Sequence, residues 1–311
     1  MISIVIPFYD EEENVVPLYE EISESISRIE EDFEILFVDD GSMDSTYKYM
    51  VDLAEKDSRV KIIKFRSNFG QSAALKAGFD HAKGDYIITM DADMQNDPHD
   101  IPAMVSKIKS EDYDVVCGWR SNRKDSASKK VFSKFANFLR NRLTREQIHD
   151  SGCTFRIYKK ESTEDLELYG ELHRYIPAML SWKGFRIGEI ETNHRERLHG
   201  KTKYNWKRLA KGFLDLVVVT FWQKYSLRPI HVFGGLGIII GAFGGLTSMY
   251  LVFLRLFRGV GLSDRPLFTV SIFSLIIGVQ FFTLGILADV MVKIYYGQNG
   301  RKNYLVERIV E

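Results

Sequence analysis

Residues Tyr86–Gln95 read YIITMDADMQ, a short apolar run that ends in acidic side chains. Its β-branched and aromatic residues predict a buried strand over Tyr86–Asp91. Asp91 and Asp93 then lie two positions apart at the strand exit, where both carboxylates can converge on one ligand. Oxygen ligands of this kind, with the amide of Gln95 beside them, suit Mg²⁺ or Mn²⁺ bridging phosphate oxygens.

The same alternation of apolar runs and amphipathic helices covers the first 120 residues. An alternation of this kind predicts a mostly parallel sheet with helices on both faces. Such sheets bind ligands beyond the carboxyl ends of their strands. The predicted strands are Ile2–Pro7, Glu34–Asp39, Val60–Phe65, Tyr86–Asp91 and Val115–Trp119, and the predicted helices are Asn14–Ile29, Ser45–Glu55, Ser72–Ala82 and Ile101–Ser110.

Two other strand ends carry polar side chains. The first strand runs into Pro7–Glu11 and has no glycine-rich turn, which argues against a nicotinamide dehydrogenase. The second ends in Val38–Ser42, whose two aspartates can accept from the N–H of a base and from ribose hydroxyls. Taken alone, Asp-Gly at a strand end is equally a simple turn.

Composition limits the classes of protein that remain. The 311 residues carry 42 basic and 42 acidic side chains, without the basic excess of a dedicated nucleic-acid binder. Cys117 and Cys153 are too few for a disulfide framework, so a reducing compartment is expected. No signal peptide precedes the strand that starts at Ile2, and we expect the body of the protein to be cytoplasmic.

Two uncharged apolar segments follow Arg228. Ile230–Leu254 and Leu267–Ala288 are each long enough to cross a hydrocarbon core of about 30 Å. The short linker Arg255–Arg265 makes them a transmembrane hairpin. Before them, Lys203–Gln223 begins basic and turns apolar, which predicts an interfacial amphipathic helix; a body helix with a solvated basic end is the alternative.

A stripe of glycines marks the first span. Gly237, Gly241 and Gly245 repeat every four residues and therefore fall on one helical face. Small residues in this pattern let a second transmembrane helix approach closely. Pairing within the hairpin and homo-oligomerisation through it both remain open.

Basic residues beside the spans predict the orientation and the domain bounds. Seven lie in Lys201–Arg228 and four in Lys293–Arg308, against three in the linker. This bias places both termini and the N-terminal domain on the cytoplasmic side of the membrane. The predicted units are a domain over 1–200, an amphipathic helix over 201–228, a hairpin over 229–292 with spans at about 230–254 and 267–290, and a tail over 293–311.

These motifs carry a family resemblance. Residues 1–125 resemble a family 2 glycosyltransferase, with Ile4–Pro7, Val38–Ser42 and Asp91–Asp93 as landmarks. The hairpin and four further segments are similar to the polyprenyl-phosphate glycosyltransferases, which include dolichyl-phosphate mannose synthase, bactoprenol glucosyltransferase and undecaprenyl-phosphate aminoarabinose transferase. The fold implied is α/β: a GT-A, Rossmann-like domain with a mostly parallel sheet, then the amphipathic helix and the hairpin. The four segments are Asn68–Gln71, Asp91–Pro98, Ser151–Cys153 and Arg197–Tyr204.

The resemblance also implies residue roles. Asp91, Asp93 and Gln95 would hold Mg²⁺ or Mn²⁺, and Arg120 would lie near the phosphates and the acceptor. Arg123 and Lys129 are either acceptor-phosphate contacts or part of a solvated basic surface. The implied catalytic set is Asp93, Arg120, Arg197 and Lys203, and the implied donor-binding set is Pro7, Tyr9, Glu11, Val38, Asp39, Asp40, Asp91, Ala92, Asp93, Arg197 and Lys203.

The implied reaction moves a sugar from a nucleotide diphosphosugar to a polyprenyl phosphate with inversion. A UDP-sugar is the favoured donor and GDP-mannose the next. One alternative is a processive polysaccharide synthase of the same fold, although no glutamine here begins the Q-x-x-R-W motif of those enzymes. The other is a non-catalytic membrane scaffold that binds the polyprenyl lipid.

Overall fold

The computed structural model describes residues 1–120, 148–150, 152–195, 221, 228–259, 261–262 and 265–298. The chain divides into two compact units, Met1–Val219 and Thr220–Glu311. The described residues leave out Arg123, Lys129, Arg197, Lys203, most of the predicted amphipathic helix and most of the predicted C-terminal tail.

The first unit contains every strand and helix predicted before residue 120. Their bounds differ from the predicted ones by a few residues, and β4 ends at Thr89 rather than at Asp91. The strands are β1 (Ile2–Phe8), β2 (Phe33–Asp39), β3 (Val60–Lys64), β4 (Tyr86–Thr89), β5 (Val115–Trp119), β6 (Arg156–Lys159) and β7 (Ile187–Glu191). The helices are α1 (Val15–Ile26), α2 (Thr46–Lys56), α3 (Gln71–His81), α4 (Ile101–Ser110), α5 (Lys160–Thr163) and α6 (Ile176–Trp182), with 3₁₀ turns at Pro98–Asp100 and Leu172–Tyr175.

The strands form one seven-stranded sheet among the described residues, in the order β3-β2-β1-β4-β6-β5-β7. Pairing is parallel from β3 to β4 and again between β5 and β7, whereas β6 is antiparallel to both of its neighbours. The mostly parallel α/β sheet is therefore confirmed. The carboxyl ends of β1, β2, β4 and β5 lie along the same edge, where the sequence places its polar side chains.

Successive side chains of β1 point to opposite faces of the sheet and contribute to the core on both sides. Ile4 and Ile6 pack on one face with helices α1 and α4, whereas Val5 packs on the other face with α3. All three side chains are fully buried. A strand buried on both faces explains the run at Ile2–Ile6, which is apolar except for Ser3.

The second unit contains the predicted hairpin as two long helices, α7 (Ile230–Arg258) and α8 (Pro266–Gln298). Both are long and apolar enough to span a membrane. Large apolar side chains such as Ile239 and Val279 are exposed on their outer faces, as expected of helices that contact lipid. The two helices pack directly against each other.

A seam of small residues joins the two helices. A Cβ added to Gly237 would lie 2.6 Å from the carbonyl oxygen of Gly278, and one added to Gly278 would lie 2.6 Å from the Cα of Gly241. The backbones therefore touch, and no larger side chain fits between them. The seam consists of Gly234, Gly237, Gly241 and Gly244 on α7 and of Ser271, Gly278 and Gly285 on α8.

The predicted glycine stripe was partly wrong. Gly245 lies off the seam, since its added Cβ meets only Leu275 Cδ2 at 3.6 Å, whereas Gly244 faces the Ser271 carbonyl oxygen. A four-residue repeat drifts around a helix of 3.6 residues per turn, and spacings that alternate three and four residues stay on one face. The seam therefore joins α7 and α8 of the same hairpin.

Candidate active site

Two loops at the ends of β1 and β2 are clasped together by side-chain to backbone hydrogen bonds. The Asp10 carboxylate accepts from Met43 N at 2.8 Å, and the Ser42 hydroxyl accepts from Asp10 N at 3.0 Å. Asp10 adopts a left-handed conformation with φ of 53°, which asparagine and aspartate tolerate best among non-glycine residues. An aspartate at this position therefore suits the conformation of the turn.

Glu12 also links the loop after β1 to the loop after β2. Glu12 lies before α1, which begins only at Val15. The Glu12 carboxylate accepts from Ser45 N at 2.8 Å, directly before the first turn of α2. A carboxylate at that position is favoured by the orphan N–H groups and the helix dipole. Glu12 thus fixes the turn that follows Asp39 and Asp40.

Asp39 is fully buried and holds one carboxylate oxygen unpaired. Its Oδ1 accepts from Ser42 N at 2.9 Å, while its Oδ2 has no hydrogen-bond partner among the described residues. A buried acceptor without a donor costs roughly 1–3 kcal/mol. An N–H from a bound ligand would relieve that cost. The unpaired oxygen makes Asp39 a candidate ligand contact at this edge, although protein atoms cover that oxygen in this structure.

Asp40 has a different role. Its two carboxylate oxygens accept from Phe69 N at 2.7 Å and from Gly70 N at 2.9 Å. Burial raises the pKa of Asp40 above its usual value despite these bonds. Next to it, Gly41 has φ of 76°, and an added Cβ would lie 2.5 Å from the Ser67 carbonyl carbon. Asp40 and Gly41 therefore hold the loop that leads into α3 against the end of β2.

The remaining predicted nucleotide residues differ in exposure. Tyr9 is exposed, and Pro7 and Glu11 are half-buried at the same edge. Val38 is fully buried in the core and Ala92 is nearly so. In this structure Val38 presents no surface to a ligand, because a residue one position before the strand end still packs under α3.

The acidic pair follows β4. Asp93 is buried and accepts from Gln95 N at 3.1 Å, and Asp91 accepts from Gln71 Nε2 at 2.7 Å. Burial, followed by the charge of Asp93, raises the pKa of Asp91. Two closely spaced carboxylates that repel each other are stabilised as anions by a cation. This donor set therefore fits a divalent ion.

Arg120 lies at the end of β5, within electrostatic range of Asp91. Its guanidinium makes a bidentate ion pair with Asp150, with Nε–Oδ2 at 2.6 Å and Nη2–Oδ1 at 3.0 Å. Burial alone would lower the pKa of Arg120, but Asp150 raises it above its usual value. Glu189 on β7 accepts from His149 N at 2.7 Å and so holds the segment that carries Asp150. Arg120 is thereby oriented toward the edge as a permanent cation.

Residues Asn193–Arg195 are anchored to the segment that follows the acidic pair. Arg195 N donates to the Gln95 carbonyl oxygen at 2.9 Å, and its guanidinium donates to Asp97 at 2.7 Å and to Glu21 at 2.6 Å. Glu21, Asp97 and His99 are spaced closely enough to hold a metal ion. A guanidinium already neutralises this cluster. The contacts place the residues just before Arg197 beside Gln95.

The comparisons with known proteins agree with this geometry. Residues 3–167 match the model of glycosyl transferase family 2. The dodecaprenyl-phosphate galacturonate synthase of Rhizobium johnstonii is 39% identical over 317 residues, covering 100% of this chain and 93% of that protein. The chain belongs to glycosyl transferase family 2. The undecaprenyl-phosphate 4-deoxy-4-formamido-L-arabinose transferase of Proteus mirabilis is 34% identical, covering 99% of this glycosyltransferase and 94% of that protein.

Solved structures confirm the GT-A fold of the glycosyltransferase. The glucosyl-3-phosphoglycerate synthase of Mycobacterium tuberculosis, in complex with Mn²⁺, UDP and glucosyl-3-phosphoglycerate, superposes with a TM-score of 0.53 at 16% identity. The match covers 72% of this chain and 79% of that chain. At 16% identity, this similarity shows a shared fold and nothing further.

The structure brings several predicted site residues of the glycosyltransferase to one edge and adds others. Asp150 and Arg195 have no predicted role, although Asp150 directly precedes the Ser151–Cys153 segment and Arg195 lies two positions before Arg197. Gln71 was noticed as part of a motif but was given no role. A helix-start glutamine that reaches a residue 20 positions away leaves no local pattern. Sequence reasoning had no signal for that contact.

Proposed function

We propose that this glycosyltransferase transfers a sugar from a nucleotide diphosphosugar to a polyprenyl phosphate, with inversion at the anomeric carbon. A UDP-sugar is the preferred donor and GDP-mannose the next. The observation that carries the proposal is the edge itself, where the unpaired Asp39 oxygen, the Asp91–Asp93 pair and Arg120 lie at the carboxyl ends of β2, β4 and β5. Full-length relatives whose names include a polyprenyl phosphate support the acceptor.

Asp91, Asp93 and Gln95 would hold Mg²⁺ or Mn²⁺ in this proposal. Their donors are oxygens, and the raised pKa of Asp91 reflects a buried negative site that favours a cation. When bound, the ion supplies positive charge that stabilises the diphosphate as it leaves, an effect of several kcal/mol at an enclosed site.

The chain's own residues account for binding and orientation. Asp39 Oδ2 accepts the N–H of the base, and Tyr9 and Glu11 lie beside the ribose. An oxygen of the acceptor phosphate attacks the anomeric carbon while the bond from that carbon to the diphosphate oxygen breaks. Since the attacking phosphate is already an anion near neutral pH, no strong general base is required. Arg120, Arg197 and Lys203 hold the two negatively charged groups close together, with Arg123 and Lys129 as further acceptor contacts.

The hairpin brings this reaction to the membrane. We place the catalytic domain and both termini on the cytoplasmic side, since basic residues are concentrated outside the linker. The lipid phosphate then reaches the strand-end edge from the bilayer surface. Homo-oligomerisation is not needed for any of these contacts.

Truncation after Gln223 tests the role of the hairpin. The truncated protein should still bind UDP, because Asp39 and the acidic pair belong to the first unit. Its transfer to a full-length polyprenyl phosphate in vesicles should fall at least about tenfold, since a single lipid-anchoring element raises local concentration strongly. A short water-soluble prenyl phosphate serves as the control acceptor, and we expect its rate to change little. Equal rates on the long lipid with and without the hairpin would contradict the proposal.

Transfer of label from the donor decides between the candidate functions. Purified full-length protein is incubated with a polyprenyl phosphate, Mn²⁺ and radiolabelled UDP-galacturonate, UDP-glucose or GDP-mannose. We expect label in the organic-extractable lipid with one of these donors. A labelled polymer in the aqueous phase would indicate a processive synthase. Lipid binding without any transfer would indicate a scaffold.

A further inference from the structure

Gln71, the first residue of α3, contacts the acidic pair directly. Its Nε2 donates to Asp91 Oδ1 at 2.7 Å, and both side chains are half-buried. A carboxylate oxygen can only accept, so the amide must donate here. This bond engages one oxygen of Asp91, and the Thr154 side chain lies close to the same carboxylate.

The backbone around Gln71 is fixed from both sides. On one side, Asp40 binds the N–H groups of Phe69 and Gly70, the two residues before Gln71. On the other, the Ser72 hydroxyl lies 2.9 Å from His173 Nδ1 and accepts from His173 N at 3.1 Å. The Ser72 contacts are buried and those of Asp40 are partly buried, and together they join three separate parts of the chain.

A further hydrogen bond connects His173 to the sheet. The guanidinium of Arg156, on β6, donates to the His173 carbonyl oxygen at 3.0 Å. In β6, Arg156 pairs with Thr89, the last residue of β4 and two positions before Asp91. The start of α3 is therefore tied both to the end of β2 and to the strand next to the acidic pair. A side chain held in this way can orient its partner with little loss of conformational entropy.

We propose that Gln71 is a positioning residue of the metal site: by holding Oδ1 of Asp91, it orients the carboxylate so that its second oxygen can bind the divalent ion. This inference rests on the proposed function and extends it to a residue outside the acidic motif. Hydrogen bonds from such supporting residues typically contribute 10–100-fold to metal affinity. Through Asp40, the network also links the nucleotide side of the edge to the metal side.

Variants of Gln71 test the proposal on the full-length protein in detergent. Gln71→Leu keeps the size of the side chain and removes the donor, and Gln71→Asn keeps an amide but shortens it. Binding of Mn²⁺ in the presence of UDP is followed by the electron paramagnetic resonance signal of the free ion. We expect the Mn²⁺ dissociation constant to rise about tenfold in both variants. At saturating Mn²⁺, kcat should recover most of its wild-type value, which a catalytic contact would not show.

Two controls make the outcomes distinguishable. Lys76→Ala removes an exposed ion pair with Asp80 on the same helix and should leave Mn²⁺ affinity unchanged. Asp91→Asn should abolish Mn²⁺ binding. Wild-type affinity in both Gln71 variants, with binding lost in Asp91→Asn, would overturn the role of Gln71 alone. Wild-type affinity in Asp91→Asn would instead overturn the metal assignment in the proposed function.

Discussion

Asp93→Ala should abolish sugar transfer while the domain stays folded. Losing one of two charged ligands removes several kcal/mol of stabilisation from the departing diphosphate, which corresponds to about a thousandfold in rate. The uncomplexed protein should not melt at a lower temperature, because the substitution also removes a charge that repels the half-buried Asp91. The measurement is transfer rate against Mn²⁺ concentration, together with the thermal melting curve.

Asp52→Ala is the matched control for Asp93→Ala. Asp52 is an exposed aspartate on α2, away from the strand-end edge. Its removal should leave both the rate and the melting temperature close to those of the wild-type protein. Normal turnover of Asp93→Ala at low Mn²⁺ or Mg²⁺ would refute the assignment of the acidic pair.

Gly278→Leu should separate the two helices of the hairpin. An added Cβ at Gly278 already meets backbone atoms of Gly241 at 2.6 Å, and backbone cannot rotate away as a side chain can. Overpacking of this kind costs about 1–3 kcal/mol or more. We expect earlier unfolding of the full-length protein on titration with sodium dodecyl sulfate, and slower transfer to a full-length polyprenyl phosphate.

The control for Gly278→Leu is Gly235→Leu. Gly235 is also a helical glycine of the hairpin, but an added Cβ there meets nothing within 4 Å. The two variants add the same apolar volume, so any difference between them reports on the seam. Equal unfolding curves for Gly278→Leu and Gly235→Leu would show that the two helices do not pack through these glycines.

Strands β1 to β5 were predictable because their signals are local, whereas β7, which pairs in parallel with β5, was not predicted. Apolar runs such as Ile2–Ile6 and the helical periodicity between them appear within windows of about ten residues. Strand β6 was not predicted, because Arg156–Lys159 is short and contains a buried arginine and a lysine. Its insertion between β4 and β5 is a long-range pairing that no local pattern encodes.

The site shows the same division. The acidic pair was predictable, since residue type and spacing at a strand end already define its chemistry. The roles of Asp40 and Glu12 were not, because both carboxylates bind backbone N–H groups of loops about 30 residues away. An acidic residue near a strand end or a helix start has several satisfactory partners. Only the folded chain shows which partner it takes.

Crystals of the full-length protein grown with UDP and Mn²⁺, measured at the manganese absorption edge, test the central claim most directly. The account predicts an anomalous peak bonded to carboxylate oxygens of Asp91 and Asp93 and to the diphosphate of UDP. A peak at the Glu21–Asp97–His99 cluster instead, with the acidic pair making no contact to manganese, would contradict it.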